Sequence, residues 1–154
     1  MAFNSQKWST RFETMGDTAE NAFESIYPHA HRMGLNRPNF DHNTLSQWLR
    51  HTPDYLMPNG FFEVMGISTH SNKSSLKLRV EKLDSLNKWL TLGNGYLWVW
   101  DSNEHQYWWA PIKDWEYACW QYAEIKRFSD NNKPYYNLLV SDFPCQPTKT
   151  KVKL

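Results

Sequence analysis

Two carboxylates set against apolar neighbours are the groups in this chain best placed to do chemistry. Asp54 follows Pro53, and Glu63 interrupts the apolar run Phe61-Phe62-Glu63-Val64-Met65. Between them lie a second apolar run, Tyr55-Leu56-Met57, and the segment Pro58-Asn59-Gly60, which has the composition of a hairpin turn. A hairpin folded back at that turn brings Asp54 and Glu63 together. Side chains alternate along a strand, so Glu63 and Met65 share one face and Val64 takes the other. Burying an unpaired carboxylate is costly, and Glu63 therefore requires a metal ion, a cation or a hydrogen-bond donor beside it. A divalent cation held by Asp54 and Glu63 meets that requirement.

Pro53-Asp54, then Glu63-Val64-Met65, then a lysine-rich helical stretch resembles the core of the PD-(D/E)XK nuclease superfamily. The segment EVMG followed by LKLRVEKLDSLNKW resembles small phage-encoded members of it. The resemblance implies a restriction-endonuclease-like fold and a metal-dependent DNA endonuclease or exonuclease of phage DNA metabolism. It also implies Mg²⁺ or Mn²⁺ as cofactor and DNA as partner. By the same resemblance Asp54, Glu63 and the Val64 carbonyl are metal ligands. The spacing Gly16-x-x-x-Glu20 resembles the helix acid that often completes such sites, which adds Glu20; Glu24 lies one turn further along. The motif lysine, which positions or activates the attacking water in the superfamily, is replaced by Met65, and a thioether carries neither charge nor proton. Some members move that lysine to the following helix. Lys77, expected in its first turn, is the candidate for the catalytic lysine, and Lys73, Arg79 and Lys82 are candidates for DNA phosphate contacts. Met65 also supports an alternative: a catalytically inactive protein on a nuclease fold that binds DNA or a host protein through its aromatic surface.

The elements that must hold these residues follow from local patterning. Asp17 or Thr18 can cap a helix carrying Ala19, Phe23 and Ile26 or Tyr27 at helical spacing, ended near Pro28. His29 to Asn43 is a polar loop whose histidines lack zinc-site spacing. Leu45, Trp48 and Leu49 give a short amphipathic turn, and His51 after it has a structural role. After the hairpin, residues 66–73 are a polar loop. Ser74 or Ser75 then caps a helix whose stripe runs through Leu76, Val80, Leu83 and Leu90. Gly93-Asn94-Gly95 ends that helix and opens the strand Tyr96 to Trp100, apolar enough to be covered on both faces. Asp101-Ser102-Asn103 is a turn into a strand over Gln106 to Ala110. A second helix, capped by Asp114, is expected between Pro111 and Lys126, and a last strand over Tyr135 to Val140. These readings add up to an α/β fold with a central mixed sheet of about four to five strands flanked by helices.

Whole-chain properties bound the function. With 154 residues the chain suits a single domain, here with a flexible basic tail over residues 144–154. The net charge of +1 provides no global attraction to nucleic acid, so any DNA surface is local. Cys119 and Cys145 lack metal-site spacing and disulfide density, which points to free thiols in a reducing cytoplasm. No apolar run has membrane-spanning length, so a membrane is not an expected partner. Nine Trp, eight Tyr and eight Phe are available to fill a core or to stack on bases. A homodimer could cut two strands and a monomer one, and composition favours neither.

Overall fold

The computed structural model describes residues 18–33, 46–67 and 74–151. In chain order the elements are helix α1 (residues 18–26), β1 (His31–Arg32), α2 (Gln47–Arg50), β2 (Tyr55–Met57), β3 (Gly60–Gly66), β4 (Ser75–Arg79), α3 (Val80–Trp89), β5 (Gly95–Asp101), β6 (Gln106–Pro111), α4 (Ile112–Tyr122), β7 (Glu124–Arg127), β8 (Pro134–Leu139) and β9 (Thr148–Lys149). The expected α/β class holds. The central sheet is mixed and six-stranded, in the order β1-β2-β3-β5-β6-β9, and a separate three-stranded sheet runs β4-β8-β7.

The hairpin expected around Pro58-Asn59-Gly60 forms, with Tyr55 opposite Phe62 and Met57 opposite Gly60. Gly60 sits at φ 143°, and a Cβ there would collide with the Asn94 carbonyl, so only glycine suits this turn. After β3 the chain leaves the sheet, passes through β4 and α3, and returns as β5 parallel to β3, with Glu63 beside Leu97. A parallel return needs such a crossover because a tight turn reverses direction. β5 is the central strand covered on both faces: Leu97, Trp98, Val99 and Trp100 are all buried.

Alternation along β3 and β5 divides the core into two halves. Phe62, Val64, Trp98 and Trp100 pack with Ala19, Ala22 and Phe23 of α1. That half is aromatic: Phe23 stacks on Tyr55 with centroids 4.6 Å apart and meets Trp98 edge-on at 5.3 Å. Such ring pairs contribute about 0.5–1.5 kcal/mol each beyond burial. The opposite face carries Phe61, Leu97 and Val99, covered by Leu83 and Leu86 of α3, Trp115 of α4, and Leu76, Leu78 and Leu138 of the smaller sheet. Glu63 and Met65 point to this second side, the one on which α3 lies.

Several expectations are corrected. Ser75–Arg79 is a strand, and α3 starts at Val80 with Arg79 as N-cap and no side-chain cap, so neither Ser74 nor Ser75 caps it. β8 supplies the reason: Leu76 and Leu78 alternate inward as β4 pairs with it, Lys77 lying opposite Asn137. The second helix is shorter than expected; Pro111 rather than Asp114 is its N-cap, it ends at Tyr122, and Ile125 belongs to β7. Where a flexible tail over 144–154 was expected, Thr148–Lys149 pairs with β6 and Thr150 N–H donates to the His105 carbonyl. His31–Arg32 forms a short strand inside the expected loop. Asp17, Leu45 and Lys73 lie outside the described residues.

Candidate active site

Asp54 and Glu63 meet as the hairpin requires. Both are buried, with 4% of each exposed. Asp54 Oδ2 accepts a hydrogen bond of 2.9 Å from the Val64 N–H. This bond fixes the carboxylate against the strand that carries Glu63. Burial, then the charge of Glu63, raise the Asp54 pKa well above the usual carboxylate range, with Lys82 and the Val64 N–H opposing and Glu20 adding to the rise.

The cation that Glu63 requires is Lys82. Its Nζ donates to Glu63 Oε1 at 3.0 Å, from a side chain 19% exposed to one 5% exposed. Lys82 stands in the first turn of α3, and the packing of Leu83 and Leu86 turns that end of the helix toward β3. Glu63 Oε2 is buried and accepts no hydrogen bond among the described residues. Lys77, the lysine expected here, is exposed on β4 and lies over the Tyr135 ring at 5.8 Å. The distinction follows from where the helix starts: on a strand beginning at Ser75, Lys77 faces away from Leu76 and Leu78, whereas Lys82 falls in the first turn of the helix. Alternation in Ser75-Leu76-Lys77-Leu78-Arg79 was the available signal for the strand.

Glu20 and Glu24 form a second acidic layer tied to β1. Arg32 donates to Glu20 Oε2 at 2.6 Å and to Glu24 Oε1 at 3.3 Å, and Tyr55 Oη donates to Glu24 Oε1 at 2.7 Å. Glu20 is buried and acts electrostatically on Asp54, so α1, β2 and β3 bring all three acids into one region. Among the described residues no three His, Cys, Asp or Glu side chains are grouped closely enough to hold a metal ion.

A cleft of about 220 Å³ opens beside Glu63. Its permanent cations are Arg50, Arg79, Lys82 and Lys133, set against the carboxylates of Glu63 and Glu81. The elements converge by specific contacts: Gln47 of α2 donates to the Glu81 carbonyl at 3.1 Å, and Trp89 of α3 donates to the Trp48 carbonyl at 2.9 Å. His51 also lines the cleft. Burial, then the charges of Lys82 and Arg79, lower its pKa to about 4, so its imidazole is neutral at neutral pH, although Glu81 lies 3.8 Å away. Arg50, Glu81 and Lys133 escaped the sequence reading because they come from three distant segments. Of the expected phosphate contacts, Arg79 lines the cleft and Lys82 reaches Glu63.

Other candidates lie elsewhere. The exposed aromatic residues Trp109, Tyr117, Trp120 and Tyr122 do not line the cleft. Cys119 and Cys145 are free thiols, and burial pushes Cys119 up to about 12. No helix among the described residues is long and apolar enough to cross a membrane. Compared with known proteins, the chain matches no protein-family model, no curated protein and no solved structure.

Proposed function

We propose that this protein is a metal-dependent deoxyribonuclease resembling the PD-(D/E)XK superfamily, with Asp54 and Glu63 as acids and Lys82 as its displaced lysine. The observation that carries the reading is the part-buried Glu63–Lys82 pair, which lines a cleft rich in cations and has Asp54 beside it. Helix acid, Pro-Asp, Glu-Val-Met and helix lysine occur in this order, and all four act on one region.

A divalent cation fits the residues present in one respect that matters: Glu63 Oε2 is buried and has no hydrogen-bond partner among the described residues, and two close carboxylates repel one another without added positive charge. Asp54, Glu63 and the Val64 carbonyl would hold it. Glu20 would join only by releasing Arg32. When bound, Mg²⁺ or Mn²⁺ supplies positive charge to the phosphate oxygens and acidity to water. The chain supplies the rest. Lys82 donates N–H to an attacking water or to a phosphate oxygen, where charge grows in the transition state. Arg79 and Arg50 hold the phosphate backbone over the floor. The buried setting strengthens these interactions relative to water.

Met65 gives the reading its sharpest test. Met65 lies two residues beyond Glu63 on the same face of β3, so a lysine at either position 65 or 82 can reach Glu63. Glu63→Gln should abolish Mg²⁺-dependent cleavage of labelled duplex, single-stranded, flap or junction DNA, and Lys82→Met should do the same. Adding Met65→Lys to the Lys82→Met chain should restore cleavage, while Lys77→Ala should leave it intact. Full activity in Glu63→Gln, folded as judged by circular dichroism, would sink the assignment. Met65 also favours the second reading, a catalytically inactive nucleic-acid-binding protein. DNA binding without cleavage of any substrate in Mg²⁺ or Mn²⁺ would select that one.

A further inference from the structure

The cleft contains a carboxylate, that of Glu81, to which the cleavage chemistry gives no role. Glu81 Oε1 accepts from Lys133 Nζ at 3.0 Å and from Arg79 Nη1 at 3.3 Å. Together the two cations lower the Glu81 pKa, the Lys133 hydrogen bond leading them against the effect of burial. Lys133 is far away in sequence and is brought in by a built turn between β7 and β8. Asn131 Oδ1 accepts from the Lys133 N–H at 2.9 Å, Phe128 N–H donates to the Lys133 carbonyl at 3.1 Å, and Asn132 takes φ 58°. Two independent segments thus aim cations at one carboxylate oxygen.

Charge counting says what the arrangement is suited to receive. Arg50, Arg79, Lys82 and Lys133 outnumber Glu63 and Glu81, and His51 adds no charge at neutral pH. Lys82 is committed to Glu63. Arg79 and Lys133 share the single carboxylate of Glu81, and both retain exposure, 34% and 40% of their side chains. A tetrahedral dianion presents several acceptor oxygens where Glu81 presents one to both cations, and guanidinium with ammonium is a common phosphate-binding pair.

We infer that this cleft is a binding site for a phosphoryl group, and that Glu81 occupies its cations when the group is absent. The inference rests on the nuclease reading for the strand that brings the phosphoryl group, and on the cleft alone for the binding itself. Glu81 thereby acts as a displaceable counter-anion: it keeps Arg79 and Lys133 ordered in the free protein and opposes weakly held anions. A phosphoryl group bound here lies beside Glu63 and Lys82, and so sets the register of a strand on the acidic floor.

The test is calorimetric titration of the full chain with inorganic pyrophosphate, without divalent metal and at low salt. Glu81→Gln should bind about tenfold more tightly than the unaltered protein, the gain from removing one competing charge. Arg79→Ala with Lys133→Ala should bind about tenfold more weakly or worse. Lys77→Met, which removes a cation outside the cleft, should change nothing, and thermal melts establish that each variant is folded. Equal or weaker binding by Glu81→Gln would overturn the inference, as would undiminished binding by the double variant. Competition by single-stranded oligonucleotides then identifies the source. Displacement of pyrophosphate only by a 5′-phosphorylated strand assigns a terminal monoester, equal displacement by the 5′-hydroxyl strand assigns an internal diester, and displacement by neither overturns the proposal. Because no cleavage is measured, a protein that passes these tests but cuts no DNA loses the nuclease reading alone.

Discussion

A neutral imidazole among cations has a consequence for stability. His51 is 9% exposed, and its pKa falls from 6.5 to about 4 because burial and the charges of Lys82 and Arg79 disfavour the imidazolium. The unfolded chain protonates at the ordinary value, so between these two pH values it binds more protons than the folded chain. Stability is therefore fully present above the unfolded pKa and is lost as pH falls toward the folded one. Urea unfolding at pH 7 and at pH 4.5 should show a loss on the order of 1–3 kcal/mol that His51→Gln does not share. Equal losses in both proteins would remove this account of His51. At the same scale, the need of Glu63 for a partner was legible in the sequence, because a carboxylate inside an apolar strand has few affordable states. Which lysine met that need was not. Lys77 and Lys82 lie on one lysine-rich stretch, and the choice depends on where the helix begins, which β8 decides by drawing residues 75–79 into a strand.

The elements that hold the site are joined at the start of β3 and β5. Phe61 N–H donates to the Asn94 carbonyl at 3.0 Å, and Phe61 lies opposite Gly95 across the parallel pair. A Cβ on Gly95 would overlap the Phe61 ring, which is itself buried and cannot simply swing aside. Gly95→Ala should therefore destabilise the protein by about 1–3 kcal/mol, as overpacking does in a filled core, read as a fall in the melting temperature. Gly93→Ala, where nothing stands within reach of the new carbon, is the control. Because β5 flanks the strand carrying Glu63, the same substitution should also lower cleavage under the proposed function. Element patterning was legible where local periodicity had one reading: the hairpin, β5, β6 and the helix α1 all occur as expected. It failed where two periods coexist. Leu76, Val80, Leu83 and Leu90 fit a helix, Leu76 and Leu78 fit a strand, and only the availability of β8 as a partner separates them.

Across the whole molecule, charge is nearly balanced, at +1 overall, while the cleft gathers four permanent cations against two carboxylates. If nucleic acid binds there, the salt dependence is bounded by the cations that can touch phosphate. With Arg50, Arg79, Lys82 and Lys133 engaged on a single strand, log affinity should fall against log salt with a slope no steeper than about −3. Fluorescence anisotropy over a potassium chloride series measures it, and a much steeper slope would mean a basic surface wider than this cleft. The sequence by itself determined the class of fold, the hairpin and the meeting of Asp54 with Glu63, because these depend on local alternation, turn chemistry and the cost of burying charge. Only the tertiary structure decided that Lys82 is the partner of Glu63, that Arg32 engages Glu20, and that Arg50, Arg79, Glu81 and Lys133 share one cleft. Those residues come from separate helices, strands and a turn, and no spacing along the chain encodes a distance that exists only after the two sheets and α3 have packed.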